Sequence, residues 1–149
     1  AKIAGDLTET KYSGATGGNT TRAVYMGGTG DTGYETGIDY LTYATGGTAS
    51  SFGSLATGSS SNNQGQLSNN VRTIAVPYTS GYNPPATIRY INPATTGNDV
   101  EFGTLGYTTN IGMVGSCSSS VRGIISGGYN VYPKEIESIL DDINGVVES

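Results

Sequence analysis

Three arginines, Arg22, Arg72 and Arg122, fall fifty residues apart, and a short apolar run follows each of them. The runs read Ala23-Val-Tyr-Met-Gly-Gly28, Thr73-Ile-Ala-Val-Pro-Tyr78 and Gly123-Ile-Ile-Ser-Gly-Gly128. Other positions keep the same step, Tyr90 after Tyr40 and Phe102 after Phe52. A fixed period of this length marks a chain of like supersecondary units, none of which buries its apolar face alone. That property constrains the fold more than any other feature of the sequence.

The 149 residues suffice for one modest core. Glycine (24 residues) and tyrosine (11) are abundant, and short Tyr/Val/Ile/Thr runs alternate with Gly/Asn/Ser clusters, which favours strands and turns. Only 13% of residues are charged and the net charge is −5. Nucleic-acid binding needs clustered Lys and Arg to displace counterions from phosphate, so it is not expected. An anionic membrane surface is disfavoured for the same reason, and no apolar run approaches the roughly 18–20 residues of a span. Histidine is absent, which removes the Ser-His-Asp triad, the Cys-His pair and every His-ligated metal. The single cysteine, Cys117, excludes an intramolecular disulfide. The chain begins at Ala1 with no initiator Met and no signal-peptide core, which fits processing or an incomplete sequence.

Taken in order, Ile3–Leu7 reads as the closing piece of a repeat, since it matches Ser51–Leu55 and Glu101–Leu105. A polar stretch from Thr8 to Thr21 follows. Units then span about 22–71 and 72–121, with a third left incomplete. Gly37–Tyr43 alternates as a half-buried strand should, and Thr87–Asn92 is its counterpart. Four strands are expected per unit, for example 87–92, 99–105, 112–117 and 122–126. The expected fold is therefore all-β: four-stranded repeats of about 50 residues over 1–128, as a partial propeller or stacked blades. Residues 129–149 differ in kind and hold six of the chain's charges. Pro133 suits a first helical turn, Ile136, Ile139, Leu140 and Ile143 mark one helical face, and Gly145 stands as a stop. The pattern predicts a short amphipathic C-terminal helix over about 133–143.

A strand ending in Gly27-Gly28, a tyrosine on the next strand and an aromatic about twelve residues on resemble a kelch repeat, with Phe52 and Phe102 where kelch has Trp. Three segments together resemble Gly-rich repeat proteins of marine tailed phages over about residues 3–130: Cys117–Gly128, Ile38-Asp-Tyr-Leu-Thr42, and Gly97-Asn98 with Phe102-Gly-Thr-Leu105. This likeness implies a virion component, decoration, neck or tail-associated, that is not an enzyme. Its partners would be copies of itself and other virion proteins, and glycans are a further candidate. Residues 124–149 are similar to the C-terminal subdomain of acyl-CoA synthetases, malonyl-CoA ligases in particular. Nothing upstream resembles that family's AMP-binding domain, and the switch falls at Ile-Ser-Gly-Gly-Tyr-Asn, a string common to both families, which fits a recombination or a join. No ligase activity is carried over.

Individual residues admit competing readings. The three arginines are either a ring for an anionic ligand or structural groups holding neighbouring carbonyls, and their repeat position favours the second. Gly27-Gly28 and Gly127-Gly128 lack the context of a phosphate loop and read as turn glycines. Asp39, Asp99 and Glu101 lack the dense acidic spacing of a calcium cage. Cys117 has no base nearby and reads as small-residue packing. Tyr40 and Tyr90 read as core, whereas the loop tyrosines Tyr34 and Tyr82 are candidates for glycan or partner contact. Asn19-Thr20-Thr21 is a glycosylation-type sequon. No catalytic residue, cofactor or metal is expected. The setting expected is a virion, the alternative an extracellular or cell-surface filament, and the third reading a ligase fragment.

Overall fold

A computed structural model describes residues 5–56, 60–78, 87–104, 114–127 and 134–136. All regular structure among these residues is β, in small antiparallel sheets. The first large sheet takes β2 (Ala15–Gly18), β3 (Arg22–Met26), β6 (Gly37–Thr42) and β7 (Ser50–Ser54) in the order β2-β3-β6-β7. The second runs β8 (Ser60–Ser68), β9 (Thr73–Tyr78), β10 (Thr87–Ile91), β11 (Val100–Thr104), again as a meander. The third joins β12 (Val114–Ser118), β13 (Gly123–Gly127) and β14 (Lys134–Ile136). In a small ribbon β4 (Thr29–Gly30) and β5 (Gly33–Tyr34), inserted between β3 and β6, pair with β1 (Lys11–Tyr12), which precedes β2.

Each of the three larger sheets starts one strand before its arginine. The strands expected at 87–92, 99–105, 112–117 and 122–126 are therefore not one unit. β10 and β11 close the second sheet, whereas β12 and β13 open the third. The cause is local. In all three sheets a tight turn joins the first two strands, and its first residue donates its backbone N–H to the arginine carbonyl: Asn19 to Arg22, Asn69 to Arg72, Ser119 to Arg122. The Asn19 and Asn69 Oδ1 atoms and Ser119 Oγ accept the arginine N–H at 2.7–3.0 Å. Such a side-chain-capped turn makes its flanking strands neighbours. The strands 15–18 and 60–68, by contrast, lie in polar, Gly/Ser/Asn-rich stretches that intrinsic propensity does not mark.

The C-terminal expectation is also corrected in part. Lys134–Ile136, placed in the expected helix, is a strand that pairs with β13 in the register Gly123↔Ile136 and Ile125↔Lys134. β13 follows β12 as β3 follows β2, so its second edge offers backbone groups that need partners, and these residues supply them. The rest of the expected helix lies outside the described residues.

Packing follows the alternation of strand side chains. Val24 and Met26 of β3, Ala15 of β2 and Ile38 of β6 share one buried face, brought together by the pairs Ala15↔Met26 and Met26↔Ile38. Phe52 and Leu55 complete it, and the face packs on Ala75 and Ile91 of the second sheet in one core. The alternation expected over 37–43 is interrupted, because Ile38 and Asp39 are both buried. A register shift against β7 lies between them, and an identical one lies between Ile88 and Arg89 fifty residues on. A bulge lets consecutive side chains serve both faces of one strand.

Candidate functional site

A repeated geometry lies where one sheet meets the next. Successive first strands are linked at a separation of fifty residues. Thr16 N–H donates to Gln66 Oε1, and Gln66 Nε2 donates back to Thr16 Oγ1 at 3.1 Å. Gln66 N–H in turn donates to Ser116 Oγ at 3.0 Å, and that hydroxyl donates to the Gln66 carbonyl at 2.6 Å. Gly18 N–H donates to Ser68 Oγ at 3.1 Å, and Ser118 Oγ donates to the Ser68 carbonyl at 3.2 Å. These side chains bond backbone groups that the strands' own ladders do not use.

The outer strands are joined in the same manner. Gly97 N–H donates to the Phe52 carbonyl at 2.9 Å and Asp99 N–H to the Ser54 carbonyl at 3.1 Å. Asn98 Oδ1 and Asp99 Oδ1 accept from Ser54 and Ala56 N–H, both at 3.0 Å. A Cβ at Gly53 would collide with the Gly97 carbonyl oxygen, so only glycine permits this approach. The N-terminal segment repeats the contact one unit earlier: Gly5 N–H donates to the Gly47 carbonyl and Ala49 N–H to the Asp6 carbonyl. Residues 5–6 thus hold the place of an outer strand against the first sheet.

The residues singled out by repeat position sit on this framework. The Arg22 guanidinium lies 4.6 Å from the Tyr40 ring centroid, and Arg72 lies 4.7 Å from that of Tyr90. Arg22 Nη1 also donates to the carbonyls of Pro93 (3.3 Å) and Ala94 (3.0 Å), a turn of the second sheet. Tyr40 meets Phe52 edge-on at 6.0 Å, as Tyr90 meets Phe102 at 6.3 Å. Phe52 is buried, whereas Tyr40, Tyr90 and Phe102 are half-buried. Arg122 is exposed beside β13. Gly27 and Gly28 have φ of 62° and 116° and make the turn into the inserted ribbon, with Glu35 N–H donating to the Gly28 carbonyl. Gly127 ends β13, and Gly128 lies outside the described residues. Tyr34 is exposed on β5, and Tyr82 lies outside the described residues.

The three acidic residues singled out from the sequence, Asp39, Asp99 and Glu101, lie beside cations. Asp39 pairs with Lys11 at 3.0 Å, both side chains fully buried, and Thr8 Oγ1 donates to its other oxygen at 2.6 Å. At the equivalent position of the second sheet stands Arg89, which pairs with Asp99 and approaches Glu101 at 3.8 Å. Among the described residues, no three acidic or thiol groups converge as a metal site. Asn19 is committed to its turn through Oδ1. Cys117, read from the sequence as packed, is exposed on β12. A cleft of about 550 Å³ opens beside Arg72 and Tyr90, walled also by Phe52, Asn92, Thr95 and Asn98. The described residues lining it offer hydrogen bonds and no carboxylate or base. Among the described residues, no helix is long and apolar enough to cross a membrane.

Sequence reasoning missed Thr16, Gln66, Ser116 and the Ser68–Ser118 pair. Their signal was the same fifty-residue step, hidden in polar residues of low strand propensity. Fold and junctions together define a class, an all-β protein of successive antiparallel sheets joined at a fixed step. Set against known proteins, the chain matches no family model and no curated protein.

Arg22 offers a direct test of the junction. Arg22→Ala removes a cation–π contact and leaves two carbonyls without their donor, so a loss of about 1–3 kcal/mol is expected. Arg22→Lys should recover under half of it, because an ammonium lacks the planar fork. Urea unfolding of the two variants checks this.

Proposed function

We propose that this chain is a non-enzymatic structural protein that assembles through kelch-like β units, set in the virion of a tailed phage as a decoration, neck or tail-associated component. The observation that carries the assembly reading is the repetition of one junction, first strand to first strand and outer strand to loop, at a constant step. A junction that propagates by translation along the chain is heterologous, and such contacts continue into closed rings or open filaments when copies meet. Two four-stranded sheets and a third of three described strands are too few to close a propeller, which takes about four to eight blades. Support for the virion setting comes from the phage-like strings Cys117–Gly128 and Ile38–Thr42. The described interior holds satisfied ion pairs and turn glycines, and the chemistry of these groups is that of shape and adhesion.

Native mass measurement with electron microscopy of the same sample tests the assembly. A species well above the 15.3 kDa chain, as rings or filaments, is expected, and a stable monomer overturns the reading. Peptides of this chain in density-purified tailed particles support the virion, and their recovery only from secreted fibres moves it to the cell surface. ATP-dependent pyrophosphate exchange by the purified chain would point to the ligase fragment instead.

A further inference from the structure

Resting on the reading of a self-assembling subunit, we propose that copies stack head to tail, the third sheet of one on the outward face of the first sheet of the next, with Cys117 against Ala23. The register comes from a contact the chain makes twice within itself. Positions 17, 67 and 117 are equivalent on the first strands, and 23, 73 and 123 on the second strands. A methyl group at Gly17 would meet Ser68 Oγ first and lie 2.5 Å from Thr73 Cγ2, and one at Gly123 would lie 2.5 Å from Leu67 Cδ1. Each site thus brings a first-strand residue against the second-strand residue of the following sheet, Gly17 on Thr73 and Leu67 on Gly123. Continued by one step, the series places Cys117 on position 23 of another copy.

Both ends have the character of an uncovered junction. Val24 and Ile74 are 2% and 1% exposed, whereas their equivalent on the third sheet, Ile124, is 42% exposed beside the exposed Cys117. At the other end, an open cavity of about 210 Å³ is walled by Leu7, Ala23, Tyr25 and Leu41. Thr73, Ala75 and Ile91, the equivalents of the last three, are at most 2% exposed because the first sheet covers them. The paired sizes are compatible: Gly17 meets Thr73, Leu67 meets Gly123, and Cys117 would meet Ala23. Continued to the next copy, the Thr16 hydroxyl would face the Ser116 backbone as the Ser116 hydroxyl faces the Gln66 backbone, and residues 5–6 already occupy the outer-strand place that a preceding sheet would fill. Gly18 has no hydroxyl to match Ser68, so the junction between copies is weaker than those within the chain and assembles reversibly.

The test mixes the wild-type chain, whose one thiol is Cys117, with an Ala23→Cys/Cys117→Ser variant under mild oxidation. A disulfide requires Cβ atoms about 3.5–4.5 Å apart, so it reports the contact itself. The expected result is a dimer, resolved without reductant, whose linked peptides join residues 23 and 117 in excess over 117–117 and 23–23 links. Homotypic links alone, in a sample whose native mass shows assembly, overturn the head-to-tail arrangement and leave self-assembly standing. A monomeric native mass overturns both. Ala23→Arg in the wild-type background is the second variant, and it should leave the monomer folded while lowering the assembled fraction about ten-fold or more, since it buries a charge at the junction. Undiminished assembly by that variant also overturns the arrangement.

Discussion

Lys11→Ala is expected to destabilise the protein by about 3–5 kcal/mol, the range for breaking a buried ion pair by removing one partner. The loss has three parts. Asp39 remains buried on β6 with Thr8 as its remaining side-chain donor, the Gly37 carbonyl loses the Lys11 ammonium at 3.2 Å, and the Tyr25 ring loses a cation 5.8 Å from its centroid. The damage should be directional. Lys11 and Thr8 clamp the N-terminal segment onto the first sheet, so the segment is expected to lose protection before the sheets do. Urea denaturation gives the total, and hydrogen exchange of the Ala49 amide, which donates to Asp6, gives the direction. A Lys11→Met/Asp39→Asn double variant should recover much of the loss, because it removes the unpaired charge along with its partner. If the double variant is no better than the single one, the ion pair is not the cause.

Phe52→Ala is expected to cost about 3–5 kcal/mol, as truncation of a buried aromatic generally does. Phe52 is 4% exposed, meets Tyr40 edge-on and belongs to the core shared by the first two sheets. Its own carbonyl accepts from Gly97, so a cavity there loosens the joint as well as the sheet. Phe102→Ala is the internal control. The two phenylalanines hold the same place in the repeat and the same geometry to a tyrosine, but Phe102 is half-buried. Its truncation should cost roughly half as much, in proportion to the apolar area withdrawn from water. Equal losses would mean that both sheets are covered alike, contrary to the described packing. Thermal unfolding of the pair, side by side, decides this.

How far the sequence could be read depended on whether a residue's role is local or shared. The step relating Tyr40 to Tyr90 and Phe52 to Phe102 was legible because aromatic residues at a fixed spacing stand out, but their depth was not: Tyr40 and Tyr90, read as core, are half-buried, as is Phe102, whereas Phe52 is buried. The strands at 22–26, 37–42, 73–78 and 87–91 were legible for the same reason, since β-branched and aromatic runs carry their own propensity. Lys11 was not legible. Its partner lies twenty-eight residues away, and no repeat position marks it, because the equivalent of Asp39 is an arginine. The exposure of Cys117 was also hidden, as burial in a stack depends on whether a neighbour follows.

The sequence by itself determined the all-β class and the fifty-residue period, and the structure adds the tight turns that begin at Asn19, Asn69 and Ser119. These are properties of short stretches, and dihedral preference and side-chain pattern act at that range. The tertiary structure alone decided that polar runs such as Ser60–Ser68 become strands, and that Lys134–Ile136 pairs with β13. Those outcomes answer a different demand. Every backbone group withdrawn from water needs a partner, and for these segments the partner comes from a strand or a neighbouring sheet that local sequence does not specify.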